Sequence, residues 1–337
     1  MNKRGGLKTK SLRSIDPGKT KIRQAILFIN PQKKEARDLG VEIRKELEAL
    51  EIGTDMFSFK ERSGFNTREG YDVAFSLGGD GTVLFAARAM SPLEVPIFPV
   101  NLGTFGFIAG VDPVEWREIF YRWLGGKVPL SKRLMLEIAL ERAGREVPLG
   151  CCLNDVVISA SGIAKIIRLK VSYSESNRTG FLKLGQYRSD GLIVSTPTGS
   201  TAYSAAAGGP IVDPELEALI LNPICPFTLS NRPMVLPAGE TVLVEVEEDQ
   251  RSAVLLTVDG QVTEKLMGKD RIYLKKAPYS CHLIASGRTG FFEALRTKLA
   301  WTGGGEEAEK MPGPDNNQSR SGRKRTAGRV KGGSPLA

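Results

Sequence analysis

Apolar runs alternate with helical periodicities in the first third of the chain, and strict two-residue alternation replaces both afterwards. Residues 24–30 (Gln-Ala-Ile-Leu-Phe-Ile-Asn) form a continuous apolar run of strand length, as expected of a strand covered on both faces. Leu39, Ile43, Leu47 and Leu50 then recur at helical spacing within residues 35–51. Residues 71–77 read as a second buried strand, followed by a glycine-rich turn and a helix from about Thr82 to Met90. Residues 97–100 give a third strand, and 114–124 a further helix. Strands alternating with helices specify a parallel sheet with helices on its faces. Gly125-Gly126 and Pro129 punctuate the end of this half.

From about Leu130 the period becomes two. Leu134, Leu136, Ile138 and Leu140 alternate, as do Ile167, Leu169, Val171 and Tyr173, then Val242, Val244 and Val246, then Ile272 and Leu274. That pattern predicts a β-rich, antiparallel, sandwich-like second half. Ser286-Gly287 introduces a last helix over residues 291–299. The expected fold is an α/β N-terminal domain (23–127, with a return helix in 287–302) and a β-rich C-terminal domain (128–286). Residues 1–22 and 303–337 read as a basic leader and a basic tail without a core of their own.

The formal net charge of +9 resides in those two ends. Residues 1–24 carry eight Lys or Arg against Asp16, and residues 303–337 carry seven basic against four acidic side chains, so the stretch between is close to neutral. A domain that reads nucleic acid carries its positive charge on the fold itself, so no specific nucleic-acid partner is expected. No apolar run is long enough for a membrane-spanning helix and no secretory signal is evident, which makes a cytoplasmic protein the default expectation. Four cysteines without a Cys-x-x-Cys pair and a single histidine, His282, offer no dedicated metal site and leave acid–base chemistry to carboxylates. Gly18-Lys19-Thr20 mimics the end of a phosphate-binding P-loop, but Arg13 stands where its first glycine belongs and no strand precedes it.

The most informative segment is Leu77-Gly78-Gly79-Asp80-Gly81-Thr82, where a buried strand runs into three glycines and a helix. Glycines let a phosphate approach main-chain N–H groups, and a helix N-terminus favours anions. Asp80 is the odd member, because a carboxylate among phosphate-binding amides needs a proton to take or a metal to help hold. The plain alternative is a helix cap. Asn154-Asp155 likewise suits either an adenine edge or an ordinary turn. Residues 196–204 (Thr-Pro-Thr-Gly-Ser-Thr-Ala-Tyr-Ser) hold six hydroxyls in nine positions, fitting a capped helix start, a ligand-lining loop, or both.

Gly78-Gly79-Asp80-Gly81-Thr82 resembles the signature shared by NAD kinases, diacylglycerol and sphingosine kinases and, loosely, phosphofructokinases. Asn154-Asp155, the block 186–204, Ser230-Asn231-Arg232-Pro233, Val258-Asp259-Gly260-Gln261 and the closing helix follow in the order of NAD kinases, so the resemblance spans residues 24–302. It implies phosphoryl transfer from ATP, or a related donor such as polyphosphate, to the 2′-hydroxyl of the adenosine ribose of NAD. By that resemblance Asp80 is the general base, and Gly78, Gly79, Gly81 and Thr82 hold the nucleotide phosphates. NAD would be held by Asn154, Asp155, Lys165, Arg188, Asp190, Thr198, Thr201, Ala202, Tyr203, Ser204 and Gln261. The metal would be Mg²⁺ carried in with the nucleotide, and the protein a homo-oligomer, a dimer or tetramer. Thr104 stands where the family often has histidine, and Phe105 and Phe107 fit a pocket wall or core equally well. The alternatives are a lipid kinase of the diacylglycerol type and a non-catalytic dinucleotide sensor.

Overall fold

A computed structural model of the chain describes residues 22–58, 69–103, 106–162, 165–174, 180–228 and 230–298. The leader, the tail, Thr104, Phe105 and residues 299–302 lie outside that set. The N-terminal half alternates as its pattern requires: β1 (Gln24–Ile29), α1 (Lys34–Ala49), β2 (Gly53–Ser58), β3 (Val73–Gly78), α2 (Asp80–Met90), β4 (Ile97–Asn101) and α3 (Trp116–Leu124). The strands pair in parallel in the order β2-β1-β3-β4. Successive β1 side chains enter opposite layers. Ala25, Leu27 and Ile29 pack with Leu39, Ile43 and Leu47 of α1 and with Trp116, Phe120 and Trp123 of α3. Ile26 and Phe28 pack with Val83, Leu84, Ala87 and Met90 of α2. The edge strand β2, with its half-exposed sequence Gly-Thr-Asp-Met-Phe-Ser, has too few apolar positions to show itself by pattern.

The second half adds β5 (Leu130–Arg142), β6 (Arg145–Cys152), β7 (Asp155–Ala160), β8 (Ile167–Ser174), β9 (Phe181–Ser189) and β10 (Gly191–Ser195). A 3-10 turn (Thr198–Thr201) and the one-turn α4 (Tyr203–Ala206) lead to β11 (Ala218–Ile224), β12 (Met234–Pro237), β13 (Val242–Val246), β14 (Val254–Val258), β15 (Val262–Leu266), β16 (Arg271–Ile284) and α5 (Arg288–Lys298). Six strands form an antiparallel sheet in the order β12-β11-β10-β7-β14-β15. Its inward residues, among them Val156, Ile158, Leu192, Val194 and Leu256, meet Leu136, Ile138, Leu169, Val171, Val244 and Leu274 in one cluster, so the sandwich is present.

The other layer of that sandwich is a continuation of the parallel sheet. The long strand β16 pairs antiparallel with β5 and β13, and its end reaches β4 in parallel through Leu283 and Ile97. One ten-stranded sheet therefore runs from the α/β half into the β-rich half. Periodicity reports the face a residue occupies and carries no information on which strands are neighbours.

Candidate active site

β3 ends at Gly78, Gly79 stays extended (φ −98°, ψ −170°), and α2 begins at Asp80, two residues earlier than the apolar pattern indicates. Thr82 and Val83 donate their N–H groups back to Gly79 O at 2.9 and 3.4 Å. A Cβ on Gly78 would stand 2.9 Å from Thr82 Cβ and nearer still to its hydroxyl, so the strand turns into the helix only with glycine there. Beside Gly79 the space is open to at least 4 Å. That is the form of an anion seat: bare backbone, free volume and the positive end of an eleven-residue helix.

Asp80 does not cap this helix. As its first residue it turns its carboxylate across the site, where Oδ2 accepts from Phe107 N at 2.9 Å and Oδ1 from Ile108 N and Ala109 N at 3.3 and 3.0 Å. Phe107 itself is half-buried, 6.5 Å from the Phe291 ring of α5 and with Lys298 Nζ 4.6 Å above its own ring. Ser286, just before α5, donates its hydroxyl to Ile108 O at 3.2 Å. The return helix thus braces the loop that orients Asp80.

Across from α2, β14 and β15 are joined by a tight hairpin at Asp259-Gly260, both residues at positive φ (49° and 65°). Gln261 N donates to Val258 O at 2.9 Å, so Asp259 and Gly260 are the central residues of a β-turn within the three-residue loop, and Asp-Gly is a pair that accepts two positive φ angles there. The turn directs Asp259 inward, where Oδ1 accepts from Asn154 N at 2.8 Å and Asp155 N at 3.3 Å, and Oδ2 from Leu153 N at 3.2 Å. Arg88 of α2 supplies the counter-charge, with Nη1 3.1 Å from Asp259 Oδ2. Burial raises the Asp259 carboxyl above the usual range, and Arg88 and the amides of residues 153 and 154 draw it back. Asp155, itself buried, is pushed up to about 7 by burial first and by the Asp259 charge second.

The hydroxyl-rich block folds against the same backbone. Thr196 donates its amide to Asn154 O at 2.8 Å, and the Ser195 hydroxyl donates to the same oxygen at 3.1 Å. A Cβ on Gly199 would lie 2.5 Å from the Asn154 carbonyl carbon, so only glycine lets the turn approach. Asn154 Oδ1 and Thr198 Oγ1 remain buried with no hydrogen-bond partner. A buried polar atom without a partner is costly unless a ligand satisfies it. The Ser204 backbone and side chain accept from Asn222 Nδ2 at 2.9 and 3.3 Å, while Thr201 bonds Thr198 O at 3.3 Å. Ala202 is half-buried and Tyr203 is exposed.

The remaining sequence candidates fall elsewhere on the fold. Asp190 and Arg188 lie at the Gly191 end of β10, opposite the Ser195 end that meets Asp155. A five-residue strand separates the two ends by roughly 13–17 Å. Arg188 stacks over the exposed Phe227 ring at 5.0 Å, and Lys165, also exposed, precedes Ile167, which pairs with Ser189. One chain therefore assembles two groups, one around Asp80, Asn154, Asp155 and Thr198, the other around Lys165, Arg188 and Asp190.

No group of three or more His, Cys, Asp or Glu side chains poised to hold a metal occurs among the described residues. Of the four thiols, Cys151, Cys152 and Cys281 are buried and Cys225 is exposed, none in a disulfide. No helix among the described residues is long and apolar enough to cross a membrane.

This geometry has known counterparts. Residues 20–128 match the ATP-NAD kinase N-terminal domain and residues 153–286 its C-terminal domain. The NAD kinase of Treponema denticola is 41% identical over 285 residues, covering 84% of this chain and 98% of that protein. The NAD kinase of Aquifex aeolicus is 38% identical over 281 residues, covering 83% of this chain and all of its own length. The chain belongs to the NAD kinase family. Solved structures share the fold: yeast NADH kinase complexed with NADH (TM-score 0.74, 22% identity, 86% of this chain and 90% of that one) and an Archaeoglobus fulgidus NAD kinase in complex with ATP (TM-score 0.62, 24% identity, 83% and 99%). These matches favour a dinucleotide kinase and lend no support to the lipid-kinase or sensor alternatives.

Two members of this NAD kinase site escape the sequence reading as functional residues, Arg88 and Asp259. Each had a signal. Arg88 is the one cation in a helix whose positions 82, 83, 84, 86, 87 and 90 are buried, and a cation so placed needs a buried partner. Asp259-Gly260 between two alternating runs is a hairpin signature that fixes where Asp259 must point.

Proposed function

We propose that this NAD kinase family member phosphorylates the 2′-hydroxyl of the adenosine ribose of NAD, with ATP as donor and Asp80 as general base. The carrying observation is the pair of buried, unpartnered atoms Asn154 Oδ1 and Thr198 Oγ1; the Asn154 backbone is tied through Asp259 to Arg88 of the helix that Asp80 begins. The adenine would satisfy them together with Asp155, and its sugar would face the glycine loop.

The hydroxyl oxygen attacks the γ-phosphorus, the bond from that phosphorus to the ADP oxygen breaks, and the hydroxyl proton passes to Asp80. A carboxylate has roughly four acceptor directions. Three are taken by the amides of residues 107–109, which fix the carboxylate in place and leave one for the ribose. Phosphoryl transfer otherwise demands positioning and charge neutralisation. The backbone of Gly78, Gly79, Gly81 and Thr82 at the head of α2 provides the first. Phosphoryl-transfer enzymes of this family use a divalent metal, and hard oxygen donors suit Mg²⁺. The donor phosphates would carry it in, and it would neutralise charge on the transferred group.

The second group, Lys165, Arg188 and Asp190, belongs by this reading to a site completed by another copy of the chain, because one strand length separates it from Asn154 in its own copy; Tyr203 is exposed and free to stack on a ring of the dinucleotide. Sedimentation at micromolar concentration should show a dimer or tetramer; a monomer that retains full activity would remove this part. The function itself is tested by incubating the protein with Mg²⁺ and each pairing of NAD or NADH with ATP, GTP or polyphosphate. NADP from NAD and ATP is the expected product, and its absence would refute the reading.

A further inference from the structure

The glycine loop and the Asn154-Asp155 pair belong to different parts of the chain, yet one chain of bonds joins them. Arg88 Nη1 meets Asp259 Oδ2 at 3.1 Å, and Arg88 Nη2 donates to Gln261 Oε1 at 2.6 Å. Gln261 Nε2 then donates to Gly81 O at 2.8 Å. The Asp259 carboxylate takes the three amides of residues 153–155. The circuit leaves α2 at Arg88, crosses to the β14–β15 hairpin and returns to α2 at Gly81, one residue past Asp80. Gln261 is used at both ends of its amide by the protein, although the sequence resemblance places it on the dinucleotide.

An ordinary stabilising ion pair would not need this form. Arg88 and Asp259 have side-chain exposures of 16% and 0%, and burying a charge pair costs about as much desolvation as its attraction returns. What such a pair supplies without net stability is direction: a planar guanidinium divides its donors between two acceptors in fixed geometry. Here those acceptors are the two residues that flank Gly260 in one tight turn. The turn cannot shift without breaking its contacts to Gly81 or to residues 153–155.

We propose that Arg88, Asp259 and Gln261 are positioning residues for phosphoryl transfer, a strut that fixes the spacing between the phosphate-holding head of α2 and the backbone that carries Asn154 and Asp155. The inference rests on the kinase reading above. A strut of this kind acts on the alignment of the two substrates, so its loss falls on kcat, while NAD alone still binds through Asn154, Asp155 and Thr198. The negative charge of Asp259 also acts on Asp155, since it is one of the two influences that raise the Asp155 carboxyl.

The test uses the full chain and three variants. Gln261→Glu keeps an acceptor for Arg88 and replaces the donor that faces Gly81 O with a second oxygen. Arg88→Lys keeps the charge that Asp259 needs and loses the fork. Asp259→Asn is isosteric, and asparagine tolerates the positive φ of that position. Expected for Gln261→Glu and Arg88→Lys are kcat values lower by about tenfold or more, NAD dissociation constants within about threefold of wild type, and unchanged far-ultraviolet dichroism. For Asp259→Asn the pH midpoint of NAD binding moves to lower pH, which a merely structural residue would not cause. Wild-type kcat in both Gln261→Glu and Arg88→Lys, or loss of NAD binding in step with kcat, would overturn the strut. An unmoved pH midpoint in a folded Asp259→Asn protein would also overturn it. If the wild-type protein itself forms no NADP while it binds NAD, the kinase reading fails separately from the strut.

Discussion

Gly106 approaches Asp80 so closely that a Cβ at that position would stand 2.7 Å from the Asp80 carboxyl carbon and nearer still to Oδ1. The three amides that follow Gly106 are the ones that hold the carboxylate. Gly106→Ala must therefore push Asp80 off its position or open the loop. The expected result is a kcat lower by roughly 10- to 100-fold with NAD affinity little changed. Steady-state kinetics beside an equilibrium NAD titration checks this, and a kcat within twofold of wild type would show that the loop yields without moving Asp80.

Gly79 is the complementary case. Nothing within 4 Å would meet a Cβ there, so Gly79→Ala should fold with an unchanged melting temperature. The open space is where the donor phosphates belong, and a methyl group would compete with them. The expectation is a KM for ATP raised about tenfold or more with KM for NAD nearly constant. An unaltered KM for ATP would place the phosphates elsewhere.

Gly199→Ala would bring its new methyl against the Asn154 carbonyl and force the 195–199 turn away from residue 154. That separates the two orphaned acceptors. NAD affinity should fall by about tenfold, near 1.4 kcal/mol, and calorimetric titration of NAD would register it.

Asp155 makes NAD binding pH-dependent. Burial pushes its carboxyl up to about 7, and an adenine amine donates more strongly to the ionised form, which carries the charge and both free oxygens. Binding should tighten as pH rises through 7 and release a proton, with affinity at pH 6 below its plateau by as much as roughly tenfold. Calorimetry in two buffers of different ionisation enthalpy measures the proton directly. The sign for stability is opposite. Between about pH 4 and 7 the folded empty protein keeps a proton that the unfolded chain has lost, so Asp155 makes stability decline as pH rises through that window. Asp155→Asn should remove this part of the decline, which denaturant titrations at pH 5 and 8 would show.

The parallel strands, both faces of β1 and the β-rich second half are legible in the chain because burial periodicity is a local property. Gly78-Gly79-Asp80 is legible too, since glycines before a helix announce bare backbone. The start of α2 is not: Asp80 and Gly81 are polar or bare, and only Gly79 being extended puts them inside the helix. The passage of β16 from β13 to β4 depends on pairing between distant segments, which no local pattern encodes. The amides of residues 107–109 lie 27 to 29 positions from Asp80 and carry no side-chain signature, so the partners of the central carboxylate emerge only in three dimensions. Lys165, Arg188 and Asp190 are named only by the family resemblance, and their separation from Asn154 comes from strand register alone.

The most direct measurement is NADP formation from NAD and Mg-ATP by the wild-type chain and by Asp80→Asn at matched concentration, beside NAD binding by each. The wild type should turn over, and the variant should bind NAD within a few-fold of wild type while its kcat falls by about a thousandfold or more. An Asp80→Asn protein that converts NAD at a rate close to wild type would contradict the account at its centre, because the carboxylate would then not be the group that takes the ribose proton.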